Sequence, residues 1–311
     1  EDVSELYRSV QYPCPVGYYC QEAKRFLCPA GTYADQNLTT DSLCMGSCDP
    51  GYYCTEGSSN RQQFECGSAA VICPRGAVKP LTVLNGFYSI HTGDDANAGA
   101  LWDVNNRTRS AQIPCEPGYF CVDGVKSSCP SGTYGWRYGL NSSLCSGYCA
   151  PGYYCPSVLH PPPPDAPAHT IWPRKPHTSA AEYSCGGSSF YCPKGSFYPK
   201  QVGGGNYSTG GGINNETRTG QAICTPGNYC SDGIIQPCPK GKFGSTSGLS
   251  VDTCTGWCPA AHSCPLGSAE PVKCEGQTYA VGAGFSCAPC PGSNNFTLPC
   301  HNSRYCCFQG G

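Results

Sequence analysis

Charge is scarce in this chain. Only 13% of its residues are Asp, Glu, Lys or Arg, and they nearly cancel, Lys+Arg 19 against Asp+Glu 21. The basic face with which nucleic-acid binders neutralise phosphates is therefore missing, which excludes nucleic acid as a partner. Long apolar runs are absent too. The longest, such as Ala69–Cys73, are a few residues, against the roughly 20 that a bilayer-spanning helix requires, so no membrane span is expected in this chain. Methionine occurs once, at Met45, and residue 1 is Glu, which predicts a processed mature chain or a segment of a longer one. Catalytic constellations are lacking as well. His91, His160, His169, His177, His262 and His301 fall in loops or in a proline-rich stretch, and none stands beside a repeated Ser, Cys or Asp. The glycine runs at Gly203–Gly205 and Gly210–Gly212 lack the Lys-Ser/Thr of a phosphate loop. The chain is read as non-enzymatic and without a cofactor.

What the chain has instead is Cys 28, Gly 40 and Pro 29. Gly and Pro at this density oppose long helices, and glycine lacks the every-third-residue period of a collagen. An even number of cysteines that mostly avoid metal-ligand spacing implies an oxidising compartment, hence a protein secreted or displayed at the cell surface.

The cysteines carry a period. Cys14, Cys20, Cys28, Cys44, Cys48 and Cys54 are spaced by 6, 8, 16, 4 and 6 residues, and the same spacings recur from Cys115 to Cys155 and from Cys224 to Cys264. Internal repeats decide architecture, and three modules follow: 1–108, 109–217 and 218–311. Two further cysteines extend the first two modules, Cys66 and Cys73, then Cys185 and Cys192. In the third, Cys274 stands for Cys66, Cys287 and Cys290 compete for the role of Cys73, and Cys300, Cys306 and Cys307 have no upstream counterpart. A shorter echo, Cys-x-x-Gly-Tyr-aromatic-Cys, occurs at Cys14–Cys20 and again at Cys48–Cys54. Its glycine suits a turn at positive φ, and the aromatic pairs, such as Tyr18-Tyr19, are expected to pack within the modules.

The inter-module segments also align. Gly86-Phe87-Tyr88-Ser89 and Gly205-Asn206-Tyr207-Ser208 each lie thirteen residues beyond Cys73 and Cys192, and both linkers close on related Arg-x-x-Gln runs, Arg109 to Gln112 and Arg218 to Gln221. The second module carries an 18-residue insertion with Pro161 to Pro164, Pro167, Pro173 and Pro176, expected to form a stiff polyproline-type excursion from the surface. Six Asn-x-Ser/Thr sequons, at Asn37, Asn106, Asn141, Asn206, Asn215 and Asn295, predict N-linked glycans that would supply the solubility a charge-poor surface does not.

The motifs Cys14-Pro-Val-Gly-Tyr-Tyr-Cys20, Cys28-Pro-Ala-Gly-Thr-Tyr33 and Cys129-Pro-Ser-Gly-Thr-Tyr134 resemble the ephrin-receptor-like, Gly-Cys-Cys-type cysteine-rich repeat family, found in extracellular surface or filament proteins of heterokont protists. The resemblance covers all but roughly the last twenty residues. It implies an extracellular, elongated array of three tandem, small disulfide-rich modules, mostly β-hairpins and irregular loops with almost no helix. By resemblance to receptor modules of related style, the pairs Cys28–Cys44, Cys129–Cys145 and Cys238–Cys254 are expected, each closing a Gly-Thr-Tyr or Gly-Lys-Phe hairpin. The other connectivities stay open, since eight cysteines allow about 105 pairings. Physics agrees with the fold: a module of this size and composition cannot bury a large core, so disulfides must take its place.

Cys287-x-x-Cys290 has knuckle spacing, and His301 with Cys306-Cys307 could complete a zinc site, but a second Cys-x-x-Cys is missing and disulfides are favoured. Tyr7 to Pro13 match the end of the inter-module linkers, so the chain begins partway through a linker, and the third module lacks the complementary first half. Both ends are therefore expected to be held. Tyr7, Arg8, Gln11, Tyr12, Cys300, Cys306 and Cys307 form the candidate assembly segment, through which the N-terminal end docks on the C-terminal module of another copy. Such a heterologous contact generates open polymers. The expected function is a non-catalytic extracellular structural glycoprotein, the protomer of a filament, sheath or flagellar hair. The alternative is the stalk or ligand-binding ectodomain of a receptor or adhesion protein.

Overall fold

The structure, a computed structural model, describes residues 10–91, 106–156, 175–213 and 215–275, with shorter pieces between 164 and 171 and between 278 and 289. Its local rule is simple. A glycine at positive φ turns the chain, two to four β-forming residues follow, and a loop returns a matching strand that usually ends on a cysteine. The first hairpins are β1 (Tyr18–Gln21) with β2 (Lys24–Leu27), β3 (Thr32–Tyr33) with β4 (Gly46–Ser47), and β5 (Tyr52–Tyr53) with β6 (Phe64–Glu65). Then come β7 (Val71–Ile72) with β8 (Leu81–Thr82), β9 (Phe87–Ile90) with β10 (Ala111–Pro114), and β11 (Tyr119–Val122) with β12 (Val125–Ser128). Among the described residues there are fourteen such two-stranded antiparallel sheets and no larger sheet. Among the described residues helix is confined to one 3-10 turn at Asn215–Thr217.

The β1/β2 and β11/β12 hairpins turn through two residues with positive φ, Glu22-Ala23 (48° and 58°) and Asp123-Gly124 (48° and 72°), the turn whose twist suits a two-residue hairpin loop. Across each aromatic hairpin the second tyrosine meets its direct partner: Tyr19 stacks on Phe26 at 5.3 Å and Tyr53 on Phe64 at 5.2 Å.

Twelve disulfides close the described residues, each between cysteines consecutive in sequence. Cys28 is joined to Cys44, Cys129 to Cys145 and Cys238 to Cys254. Cys274 pairs with Cys287, which takes that cysteine away from any zinc knuckle. Sulfur is also the core. Apart from Ala34, Ile72, Val83, Tyr154, Pro156 and Pro199, every buried apolar side chain among the described residues is a half-cystine.

The chain forms two compact units, residues 1–130, 134–147 and 175–178, and residues 131–133, 148–174 and 179–311. In the first, hairpins are stitched in steps of two. The loop of β5/β6 donates Gly57 N–H to the carbonyl of Cys28, which ends β1/β2 (2.9 Å), and the loop of β7/β8 donates Gly76 N–H to Cys48 O, which ends β3/β4 (2.9 Å). The second unit repeats the stitch with Gly195 N–H to Cys149 O (2.9 Å) and Gly267 N–H to Cys238 O (2.9 Å). Backbones meet so closely that a side chain cannot intervene. Gly51, at φ 86°, faces the next such loop, where an added Cβ would fall on the Thr108 carbonyl.

Two expectations change here. What reads as inter-module linker is a hairpin of the same kind, β9/β10, and its counterpart Asn206–Thr209 with Gly220–Ile223, so residues 108 and 217 fall inside hairpin loops. The proline-rich insertion does not stand clear along its described length. Ile171 N–H donates to the Tyr154 hydroxyl (3.1 Å), His177 is buried, and its carbonyl accepts from Gly135 N–H (2.9 Å). These residues find hydrogen-bond partners on neighbouring hairpins, which an excursion of prolines lacks. Pro161, Pro162, Pro163 and Pro173 lie outside the described residues.

Candidate assembly surface

A completed junction shows what such a surface is made of. β9 pairs with β10 in the register Ile90 with Ala111, Ser89 with Gln112, Tyr88 with Ile113 and Phe87 with Pro114. Three polar contacts fix it. Gln112 Oε1 accepts from Leu84 N–H (2.8 Å), Arg109 Nη1 donates to Ser89 O (3.0 Å), and Ser89 Oγ donates to Ala69 O (2.7 Å). The strand then meets the following hairpin, Ser89 N–H donating to Gly124 O (3.0 Å). Gly124 has no alternative, because a Cβ there would collide with the Ala69 carbonyl.

Against this junction lies a small charged cluster. Tyr88 Oη donates to Glu116 Oε1 (3.0 Å), Lys126 Nζ bonds both Glu116 oxygens (3.3 and 3.1 Å), and the ammonium lies 4.6 Å over the Tyr88 ring and 4.8 Å over Tyr119. Burial, reinforced by the bond and charge of Glu116, pushes the Tyr88 phenol up to about 12. Burial alone would raise Glu116, but hydrogen bonds from its own backbone, Lys126 and Tyr88, with the Lys126 charge, hold it below the usual carboxylate range. Tyr119 is raised by burial and then by Glu116.

The second unit repeats the hairpin without the charge. Asn206–Thr209 pairs with Gly220–Ile223 in the same register, Gln221 Oε1 accepts from Gly203 N–H (2.8 Å), and Ser208 N–H donates to Gly233 O (2.9 Å). Gln112 and Gln221 do one job, accepting from the residue two before the first strand's leading glycine.

The second strand of this junction has a counterpart in residues 10–13. Val10-Gln11-Tyr12-Pro13-Cys14 stands where Ala111-Gln112-Ile113-Pro114-Cys115 stands one module later. Its placement is the same: Leu38 N–H donates to Cys14 O (2.9 Å), as Gly139 N–H donates to Cys115 O (2.8 Å). Yet no strand pairs with Val10–Pro13 among the described residues. Val10 is 66% exposed and Tyr12 82%, whereas Ala111 and Ile113 in the completed hairpin are half-buried. Arg25 lies 4.6 Å over the Tyr18 ring, in the position where Lys126 holds two rings, and Pro15 replaces Glu116.

Of the candidate assembly residues, Gln11 and Tyr12 are thus brought to one exposed edge, while Tyr7, Arg8, Cys300, Cys306 and Cys307 lie outside the described residues. Among the sequons, Asn37, Asn106, Asn141 and Asn215 are exposed. Asn206 is half-buried in a strand, its amide donating to Gly203 O and Gly204 O (both 3.3 Å), and Asn295 lies outside the described residues. A cavity of about 280 Å³ in the first unit is lined by Asp49, Pro50, Tyr52, Gln62, His91 and Thr108. His91 Nδ1 donates to Thr108 O there (2.7 Å), and Asp49 is engaged by Gln62 (3.0 Å) and Arg61 (3.4 Å).

The linker ends are alike in sequence, which does not show their role. The repeated glutamine was the available signal, since a polar residue held at one register of a repeated strand implies a fixed partner. No protein-family model matches the chain, and no curated protein matches it.

Proposed function

We propose that this chain is a non-catalytic extracellular structural glycoprotein of the ephrin-receptor-like repeat type, whose copies associate head to tail into a filament, sheath or hair. The disulfides support an oxidising, extracellular or secretory setting, since half-cystines that replace a hydrophobic core would be reduced in cytosol. No helix among the described residues is long and apolar enough to cross a membrane. The observation that carries the reading is the exposed segment Val10–Pro13, with which no strand pairs among the described residues, whereas its counterpart Ala111–Pro114 is paired. Exposed edges of this kind are templates for another chain. Deleting residues 1–13 is expected to abolish concentration-dependent association in sedimentation velocity while leaving the circular dichroism unchanged. Undiminished association would argue against the reading.

The competing reading, a receptor stalk or ligand-binding ectodomain, draws on one observation, the cavity around Asp49, Tyr52 and His91. Glycans on Asn37, Asn106, Asn141 and Asn215 are part of either reading. A loss of mass on glycosidase treatment checks them, with Asn206 the least occupied of the described sequons because its amide is turned back into its own turn.

A further inference from the structure

The cavity beside Asp49 has an internal comparison, the same place one repeat later. Aligning Cys48 with Cys149, Cys66 with Cys185 and Gly86 with Gly205 sets Asp49 against Ala150, Arg61 against Ala180, Gln62 against Ala181 and His91 against Gly210. Tyr52 and Thr108 keep their identity as Tyr153 and Thr217. The backbone keeps its contacts as well. Asp49 N–H donates to Arg61 O (2.9 Å) as Ala150 N–H does to Ala180 O (2.7 Å), and Gly67 N–H donates to Arg107 O (2.8 Å) as Gly186 N–H does to Glu216 O (3.0 Å). An added Cβ on Gly51 would fall on the Thr108 carbonyl, and one on Gly152 would fall on that of Thr217. The same framework thus forms around alanine and glycine, so the fold does not require the polar side chains of the first repeat.

Their chemistry supplies another reason for them. Gln62 Nε2 (3.0 Å) and Arg61 Nε (3.4 Å) both engage Oδ2 of Asp49, whose side chain is 24% exposed, and Oδ1 has no partner among the described residues. His91 Nδ1 carries the proton that it donates to Thr108 O (2.7 Å), which leaves Nε2 as the remaining polar atom of that ring. Asp49 is offset by Arg61, and Glu65, the cross-strand partner of Tyr52, is offset by Arg107 (2.7 Å), so charge draws neither a cation nor an anion to the site. A near-neutral cavity with hydrogen-bonding groups and a tyrosine in its wall fits a neutral molecule with hydroxyls at its edge and C–H groups on its face, which is a sugar ring. Its volume of about 280 Å³ falls just below the roughly 300–1,000 Å³ of drug-sized ligand pockets, which suits one ring.

We infer that this cavity binds a single pyranose residue, with Asp49, Gln62 and His91 taking its hydroxyls and Tyr52 its face. The inference goes beyond head-to-tail association and does not rest on it. Two sources can supply the sugar. Thr108 is the last residue of the sequon Asn106-Arg107-Thr108, whose asparagine is exposed, so a glycan on Asn106 begins two residues from the cavity wall. A saccharide from outside the chain is the other source.

The test titrates the full chain, and the N106Q variant that removes this sequon, with N-acetylglucosamine, mannose and glucose in turn, reading the nuclear magnetic resonance shifts of the His91 imidazole and the Tyr52 ring. Saturable shifts with at least one sugar are expected, in both proteins if the ligand comes from outside and in N106Q alone if the Asn106 glycan holds the cavity. Adding D49A, Q62A and H91G to N106Q installs the residues of the second repeat. It should leave the circular dichroism unchanged and weaken binding at least about tenfold, as loss of several hydrogen bonds to one ligand requires. Three results overturn the inference: no shift with any of the sugars in either protein, undiminished binding after those three substitutions, or a response to tetramethylammonium in place of the sugars. Sedimentation of the same samples reads association separately, so failure here leaves the head-to-tail reading standing.

Discussion

At the residue scale this protein is controlled by atoms it omits. Gly51 is needed twice, once for its φ of 86° and once because the Thr108 carbonyl occupies the place of a Cβ. A left-handed conformation alone disfavours alanine by roughly 1–2 kcal/mol, and the backbone collision adds to it. Gly51→Ala is expected to destabilise the first unit by at least about 2 kcal/mol, checked by denaturant unfolding under oxidising conditions. Side chains matter most at the Tyr88–Glu116–Lys126 cluster. The folded Glu116 carboxyl is held below its ordinary 4.5, so its contribution is present above that pH and is lost as pH falls through the lower folded value. Tyr88 runs the other way: its phenol is raised from 10.0 to about 12, so its contribution is complete below pH 10 and is lost between 10 and 12. Hydrogen exchange of the β9/β10 amides should therefore accelerate at both extremes, and Glu116→Gln should remove the acid limb and reduce the alkaline one, since part of the Tyr88 shift comes from Glu116. An acid limb surviving in that variant would place its origin elsewhere.

At the scale of the element, the hairpin is stable only as a stapled member of a series, since an isolated two-stranded ribbon is marginal in water. The bridge Cys28–Cys44 closes a span of 16 residues, for which chain entropy gives about 3 kcal/mol. Replacing both cysteines by serine should lower stability by that order and raise exchange first in β3 and β4. The turn Glu22-Ala23 offers the opposite change. Both residues are left-handed, Ala23 at 58°, so Ala23→Gly is expected to stabilise by about 0.5–1 kcal/mol, whereas Gly124→Ala, facing the Ala69 carbonyl, should destabilise severely. Equal effects in thermal unfolding would contradict the assignment of Ala23 to an open turn. Much of this is legible in the sequence: the cysteine spacings recur three times, and Cys-x-x-Gly-Tyr marks two turns in each of the first two repeats. What was hidden has a physical cause. The stitches between alternate hairpins run from backbone N–H to backbone C=O, as from Gly57 to Cys28, and leave no trace in sequence beyond a glycine. The β7/β8 hairpin ends on Val83 instead of a cysteine, so nothing flagged it. Asp123-Gly124 and Asp232-Gly233 were readable as hairpin turns and would have shown that the echo extends to every strand pair.

At the scale of the whole molecule, the repeat alignment proposes an assembly segment at the chain ends, and the structure adds that Gln11 and Tyr12 are exposed. Pairing order among eight cysteines per module could not be deduced from spacing, because every permutation satisfies the same count. Geometry decides it through hairpins that bring sequence neighbours together. Because the disulfides join consecutive cysteines and the stitches link nearby hairpins, lesions should spread little: reduction of one bridge is expected to loosen its own and adjoining hairpins, read by exchange mapping, while distant amides stay protected. The central claim is that copies join end to end. Negative-stain electron microscopy of the purified chain across a concentration series tests it most directly. Head-to-tail polymers that lengthen with concentration and disappear on deletion of residues 1–13 are the predicted result; single, unassociated particles at every concentration would contradict it.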